Sequence, residues 1–211
     1  MIDSLEFHRK RASTLDPFEI IINNAMDVVE VKKMNGKFPE VFALMTMHRP
    51  SNVDEESVLR PLIAFVTNEI AEEIPIFWAI HPRAMKQLET FDLLKMIKAS
   101  SHLILMKPLG YHELLRLNMG ARLLLTDSGG LQEECCVLGT PCLTLRWNTE
   151  RPVTLREHGG TCVLVGNNIQ RLRTEYVKTK KLQRSPVHPP LWDGRTAPRI
   201  VRELVLTSGH L

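Results

Sequence analysis

The chain has 211 residues, enough for one substantial hydrophobic core or at most two small ones. Apolar residues make up 44% and charged residues 24%, ordinary for a globular protein, and no stretch approaches the roughly eighteen consecutive apolar residues of a membrane span. The formal net charge is only +3 but is unevenly spread: residues 171–184 carry six basic side chains against Glu175, a net +5, which leaves −2 for the remainder. A polyanion-binding face would interleave aromatic residues or carry a nucleic-acid motif. Only Tyr176 is interleaved, so the segment reads as a solvated helix end and nucleic acid is not an expected partner.

The N-terminus has no basic region followed by an apolar run, so no secretory leader is expected. Cys135, Cys136, Cys142 and Cys162 form no Cys-x-x-Cys pair, and three lie in strongly apolar segments. They read as reduced, partly buried thiols of a cytoplasmic protein. The eight histidines show no zinc-ligand spacing, so no metal site is expected, and neither a Walker loop nor a Gly-x-Ser-x-Gly elbow is present.

Residues 1–30 read as a helical, amphipathic segment (Leu5, Phe7, Ile20, Ile21, Ala25, Val28, Val29) that offers no strand. From there short apolar runs alternate with amphipathic stretches. The runs at 41–48, 74–81, 103–108, 122–127, 141–146 and 161–166 are apolar on both faces, as in strands covered from two sides. Helical patterns fill 54–71, 83–99, 111–119, 131–138 and 169–178, with Asp54, Glu55 and Glu56 as an acidic start for the first and Gly139 as a stop for the fourth. Strand–helix alternation of this kind predicts βαβ units, hence an α/β fold with a doubly wound parallel sheet in one Rossmann-like domain over 31–180. Residues 181–194, with Pro186, Pro189 and Pro190, read as a linker, and Ile200, Val201, Leu204 and Val205 predict a last helix within 181–211.

Ligands of open parallel sheets bind at the carboxyl ends of the strands. Thr126-Asp127-Ser128-Gly129-Gly130-Leu131-Gln132-Glu133-Glu134 runs from a strand into a helix start, where unpaired N–H groups and small residues suit a diphosphate. Ser128 is placed to cap that helix or meet a phosphate oxygen, and Glu134 lies one turn in, within reach of ribose hydroxyls. An ordinary capped helix explains the same spacing equally well. His48-Arg49 and His81-Pro82-Arg83 end two further strands on the same edge; each alone reads more readily as a loop histidine with an exposed arginine, and the two together favour an anion site more than either does singly. Arg151, in the loop after the fifth strand, can clamp a phosphate or belong to a solvated charged loop, and Tyr111 offers a face for a base or is a half-buried aromatic at a helix start, the two readings of each carrying equal weight.

In this order, Thr46-Met47-His48-Arg49-Pro50-Ser51-Asn52-Val53-Asp54, His81-Pro82-Arg83, Gly110-Tyr111, the 126–134 segment, and Leu143-Thr144-Leu145-Arg146-Trp147-Asn148-Thr149-Glu150-Arg151-Pro152 resemble the UDP-N-acetylglucosamine 2-epimerase family. The 159–166 strand segment and Asp193-Gly194 with its following helix look similar too. The resemblance implies a two-domain glycosyltransferase-B type fold of which this chain carries the C-terminal, UDP-binding half, residues 1–30 being a remnant of the link to a missing first domain.

It further implies a diphosphate on Ser128, Gly129 and Gly130, ribose on Glu134, uracil beside Tyr111, and Arg151, His81, Arg83 and Arg49 around the anion. His48 would be the catalytic histidine near the leaving diphosphate. The family reaction removes the proton at sugar carbon 2, expels UDP to give a 2-acetamidoglucal, and re-adds UDP in the opposite configuration. It interconverts UDP-N-acetylglucosamine and UDP-N-acetylmannosamine, a precursor of surface polysaccharides, without a redox cofactor. The missing domain would bring the acid–base carboxylates, so UDP binding without turnover is expected of this chain alone, with an exposed inner face that dimerises or meets a partner chain. A glycosyltransferase domain and a non-enzymatic partner subunit are the alternative readings. The former is disfavoured by the joint presence of His48-Arg49 and Thr149-Glu150-Arg151-Pro152.

Overall fold

The computed structural model describes residues 1–27, 31 and 37–208. Val28 and Val29, part of the expected N-terminal pattern, lie outside them. Six short strands, β1 (Ala43–Thr46), β2 (Ile76–Ala79), β3 (Leu103–Met106), β4 (Leu123–Thr126), β5 (Cys142–Thr144) and β6 (Cys162–Leu164), form one sheet in the order β3-β2-β1-β4-β5-β6 with every neighbouring pair parallel. That is the strand order of a Rossmann-like sheet. Each strand lies inside its predicted run but is shorter, because the flanking residues leave the ladder to form the loops of the carboxyl edge.

Alternate strand residues feed opposite cores, the period-2 geometry of a pleated strand. Met45, Trp78, Leu105 and Leu125 point into one core with Leu59 and Leu62 of α4 (Glu56–Phe65), Leu88 of α5 (Pro82–Thr90), Ile97 of α6 (Leu94–Ala99) and Leu172 of α9 (Ile169–Thr179). Leu44, Phe77, Ile104 and Leu124 point into the other, with Ile21 of α2 (Pro17–Asn24), Leu117 of α7 (Tyr111–Gly120) and Cys135 of α8 (Gly129–Leu138). Helices on both faces make the sheet doubly wound, as expected. One short turn of helix, α3 (Pro50–Val53), precedes α4.

Three expectations need correction. The helix predicted over 83–99 is two helices, broken at Asp92, whose φ of 52° is left-handed. Asp tolerates that conformation better than most residues, and the Leu93 N–H closes the break on the Leu88 carbonyl at 2.8 Å. The helix predicted from Asp54 starts at Glu56, since Asp54 turns outward to Arg83. Phe7, expected on a buried face, is 81% exposed. The buried stripe of α1 (Ile2–Ser13) is Ile2, Leu5 and Ala12, and a residue two along from Leu5 points away from it.

All four cysteines are buried free thiols. The basic 171–184 segment is largely paired: Arg173 with Glu69, Lys180 with Glu73, and Lys178 with Glu175. Arg184 donates to the carbonyls of Asn118, Ala121 and Leu138, satisfying the ends of α7 and α8 together. It thereby pins the proline-rich stretch to the domain. Gly139 ends α8 with φ of 76°, and the backbone of Ser185 and Pro186 passes so close that a Cβ there would sit 2.4 Å from Pro186 N. Only glycine meets both demands.

The last helix, α10 (Thr196–Ser208), has no buried residue; Ile200, Val201, Leu204, Val205 and Leu206 are each more than half exposed. Short bridges flank the two outer strands, Ala25 to Met106 beside β3 and Leu155 to Cys162 beside β6. No helix among the described residues is long and apolar enough to cross a membrane.

Candidate functional site

The sheet order reverses between β1 and β4, and the crevice outside their carboxyl ends is where an open parallel sheet takes a ligand. A cavity of about 410 Å³ opens there, lined by Met1, Thr46, His48, His81, Tyr111, Ser128, Gly130 and Glu134 among others. Six of the ten predicted site residues therefore share one cavity, delivered by the ends of β1, β2 and β4 and the first turns of α7 and α8.

Asp127 lies buried behind the crevice wall and holds the residues that line it. It is fully buried at the end of β4, and its Oδ2 accepts from the backbone N–H of His48 (2.9 Å), the backbone N–H of Arg49 (2.8 Å) and the Asn52 side-chain amide (3.1 Å). Its Oδ1 lies 3.1 Å from His48 Nδ1, and its carbonyl accepts from Arg49 Nε at 2.8 Å. Asn52 also donates to the Leu145 carbonyl at 2.9 Å, so one buried amide ties the loops after β1, β4 and β5 together. The pairing with Asp127 raises the His48 imidazole above its ordinary pKa, against partial burial and the Arg49 charge. Burial pushes the Asp127 carboxyl up, but His48 and the converging N–H donors outweigh it and hold the carboxyl below the usual range.

The helix start follows from the local sequence. The Thr126 hydroxyl accepts from the Ser128 N–H at 3.0 Å, bending the chain out of β4, and Ser128 Oγ caps α8 by accepting from Leu131 N. Gly129 and Gly130 bring no side chains of their own to the first turn, whose neighbours are Met1 at Gly130 and Arg146 and Glu150 at Gly129, so a ligand could approach the backbone N–H groups and the positive dipole end past the Met1 side chain. A Cβ at Gly130 would sit 2.7 Å from the Met1 methyl, the end of a flexible side chain that would have to swing aside.

On the opposite wall Tyr111 opens α7 after the Gly110 N-cap, whose N–H donates to Glu113 at 2.8 Å. Its ring packs edge-on to His8 with centroids 5.5 Å apart, and burial together with the Glu134 charge raises its hydroxyl above the ordinary tyrosine pKa. Glu134 is 3% exposed, and burial pushes its carboxyl up to about 7 despite the Tyr111 hydroxyl and Asn118. At neutral pH the crevice thus holds a titrating acid on one wall and a paired histidine on the other.

The remaining predicted residues lie off the cavity wall. Arg49 is turned back onto Asp127, and Gly129 lies beside Arg146. Arg83 pairs with Asp54, although His81, which caps α5 by accepting from Arg83 N, stays in the cavity with its ring 5.2 Å from that of His48. Arg151 is engaged by Glu133 and opens onto a neighbouring groove that also includes Met1, Trp192 and Ile200. Its loop is set by Arg146, buried to 6% exposure, which holds Glu150 bidentately at 2.8 and 2.7 Å. Among the described residues no group of three or more His, Cys, Asp or Glu side chains is arranged to hold a metal ion.

Asp127 and Asn52 lie inside the sequence motifs but are not among the predicted site residues. The available signal was an acid at a strand end, directly before the capping serine. Asn52 carried none.

The sequence profile of the UDP-N-acetylglucosamine 2-epimerase family matches residues 13–205. The UDP-N-acetylglucosamine 2-epimerase of Methanocaldococcus jannaschii is 41% identical over 172 residues, which is 80% of this chain and 45% of the relative; that of Methanococcus maripaludis is 39% identical over 77% and 44%. The chain therefore spans about half the length of the curated relatives it matches. The structure of the Methanocaldococcus jannaschii UDP-GlcNAc 2-epimerase in complex with UDP-GlcNAc and UDP superposes with a TM-score of 0.78 at 34% identity, over 97% of this chain and 52% of that one. With a single doubly wound parallel sheet, a crevice at its switch point and this match over most of its length, the chain belongs to the UDP-N-acetylglucosamine 2-epimerase family.

Proposed function

We propose that this chain is the UDP-binding half of a UDP-N-acetylglucosamine 2-epimerase, the diphosphate resting on the first turn of α8 at Ser128, Gly129 and Gly130. The observation that carries this reading is the cavity at the β1/β4 switch point, which joins a glycine-lined helix N-terminus to His48 on one side and to Tyr111 and Glu134 on the other. Glu134 takes the ribose hydroxyls and Tyr111 flanks the uracil. His48 supplies positive charge and a proton donor where the diphosphate leaves the sugar, with His81 beside it. Arg49, Arg83 and Arg151 hold ion pairs or backbone contacts that a diphosphate would have to compete for, so they act at the rim.

Epimerisation at sugar carbon 2 requires a base on the far side of the sugar, and we infer that it comes from a further domain facing this crevice. The relatives' length, about twice that of this chain, supports this, as does the unpartnered apolar stripe of α10, which suits the other half of the fold or a second copy. Calorimetric titration with UDP, UDP-N-acetylglucosamine and ADP tests the binding reading. UDP and the nucleotide sugar should bind and ADP should not, and Ser128→Ala should weaken UDP about tenfold, the worth of one charge-assisted hydrogen bond. ADP binding as tightly as UDP, or no nucleotide binding at all, would sink the proposal.

A further inference from the structure

We propose that Asp127 is the positioning residue of the site: it fixes the proton of His48 on Nδ1 and turns Nε2 toward the nucleotide, an inference that rests on the UDP reading only for what Nε2 meets. The two oxygens of this carboxylate divide their labour. Oδ2 is saturated by three N–H donors, two from the His48–Arg49 backbone and one from Asn52, which is all that holding the loop requires. Oδ1 is buried, makes none of those contacts and accepts no other hydrogen bond among the described residues, and the His48 Nδ1 stands 3.1 Å from it, where a small turn of the ring would aim a proton at it. An ionised carboxylate offers only acceptors, so the ring nitrogen facing it must carry hydrogen, and Nε2 is left for the cavity.

The groups facing His48 are few. Arg49 from its own loop opposes a second charge, Asp127 from β4 favours it, and the His81 ring from the end of β2 stands 5.2 Å away. Asp127 is fully buried and His48 is 41% exposed at its side chain, so the counter-charge is fixed and the imidazole is the partner that meets the ligand. The same aspartate receives Arg49 Nε on its carbonyl, which ties the direction of the imidazole to the seat of the arginine. A neutral His48 then offers Nε2 as an acceptor, and a charged one offers Nε2–H to a phosphate oxygen. Which state meets the diphosphate is decided by a residue that never touches it.

The test reads the tautomer directly. Nitrogen and carbon NMR of the histidine-labelled, unliganded chain, with His48 assigned by its loss in His48→Gln, should give an Nδ1–H, Nε2-bare imidazole above its titration midpoint. Nε2–H as the main neutral form in the unmodified chain overturns the proposal without any variant. Asp127→Asn, which keeps an oxygen for the three N–H donors, should lower the His48 midpoint by about one pH unit or more, the size expected for losing an adjacent opposite charge. Asn52→Ala, which loosens the loop but leaves the charge, should leave the midpoint in place. A midpoint unmoved in a folded Asp127→Asn chain also overturns it. UDP titration across the same pH range separates the two readings: absent UDP binding with the Nδ1–H tautomer intact sinks the nucleotide reading alone.

Discussion

Asp127 and Glu134 sit a few residues apart in sequence, are both buried, and frame the same crevice, yet they hold opposite states. Asp127 collects three N–H donors and a histidine and is kept ionised, whereas Glu134 faces a tyrosine hydroxyl and Asn118 and is pushed up to about 7. Burial is common to both, so the difference lies in the number of donors brought to each oxygen. A turn at a strand end concentrates backbone N–H groups, and the second turn of a helix has already spent its own. The Asp127 side of the crevice is therefore charged at neutral pH, while the Glu134 side is poised to change charge near neutrality.

Removing the acceptor on the Asp127 side should have the largest effect. Asp127→Ala leaves buried donors from His48, Arg49 and Asn52 unpaired and should cost about 3 kcal/mol or more in unfolding free energy by denaturant titration. A loss below 1 kcal/mol would mean that water replaces the carboxylate and the contrast is lost. Next comes Glu134→Gln. An acid whose folded pKa lies above its unfolded value of 4.5 destabilises the native state as pH rises from that value through about 7, reaching on the order of 3 kcal/mol above it. The substituted chain should thus gain stability relative to the parent at pH 8 but not at pH 4, and equal differences at both would refute the raised pKa. Tyr111→Phe removes one hydroxyl from Glu134 and should lower stability at pH 8 by about 1 kcal/mol. Outside the crevice, Leu204→Ala on α10 should change stability by less than about 0.5 kcal/mol, because the side chain is 61% exposed. A larger loss in that chain would reveal that α10 is covered in solution, which analytical ultracentrifugation would then show as self-association.

Much of the fold could be read from the sequence because both-face apolar runs such as Leu123, Leu124 and Leu125 carry their burial in their composition. The break at Asp92 could not, since the 83–99 pattern remains periodic through it and only the backbone angle records the interruption. At the site, the serine and two glycines announce a helix start, and histidines at two strand ends announce an edge. Partnership is what local sequence conceals. Arg173 and Glu69 are 104 residues apart, and Arg151 looked like a free phosphate clamp because its pairing with Glu133 depends on how α8 and the following loop pack. Asn52 and Asp127 are ordinary polar letters until folding buries them together across a separation of 75 residues.

The bridges beside the outer strands have a consequence for how this domain behaves at high concentration. An exposed parallel edge presents a row of unpaired N–H and C=O groups that can recruit a strand from another molecule. Here Met26 N donates to Leu105 O and Lys107 N to Asn24 O along β3, while Leu155 lies against Cys162 on the opposite flank. Both outer strands are short and partly shielded by the chain's own backbone. Strand-mediated aggregation is discouraged at either end of the sheet, which leaves contacts through side chains as the easier and more selective route to association.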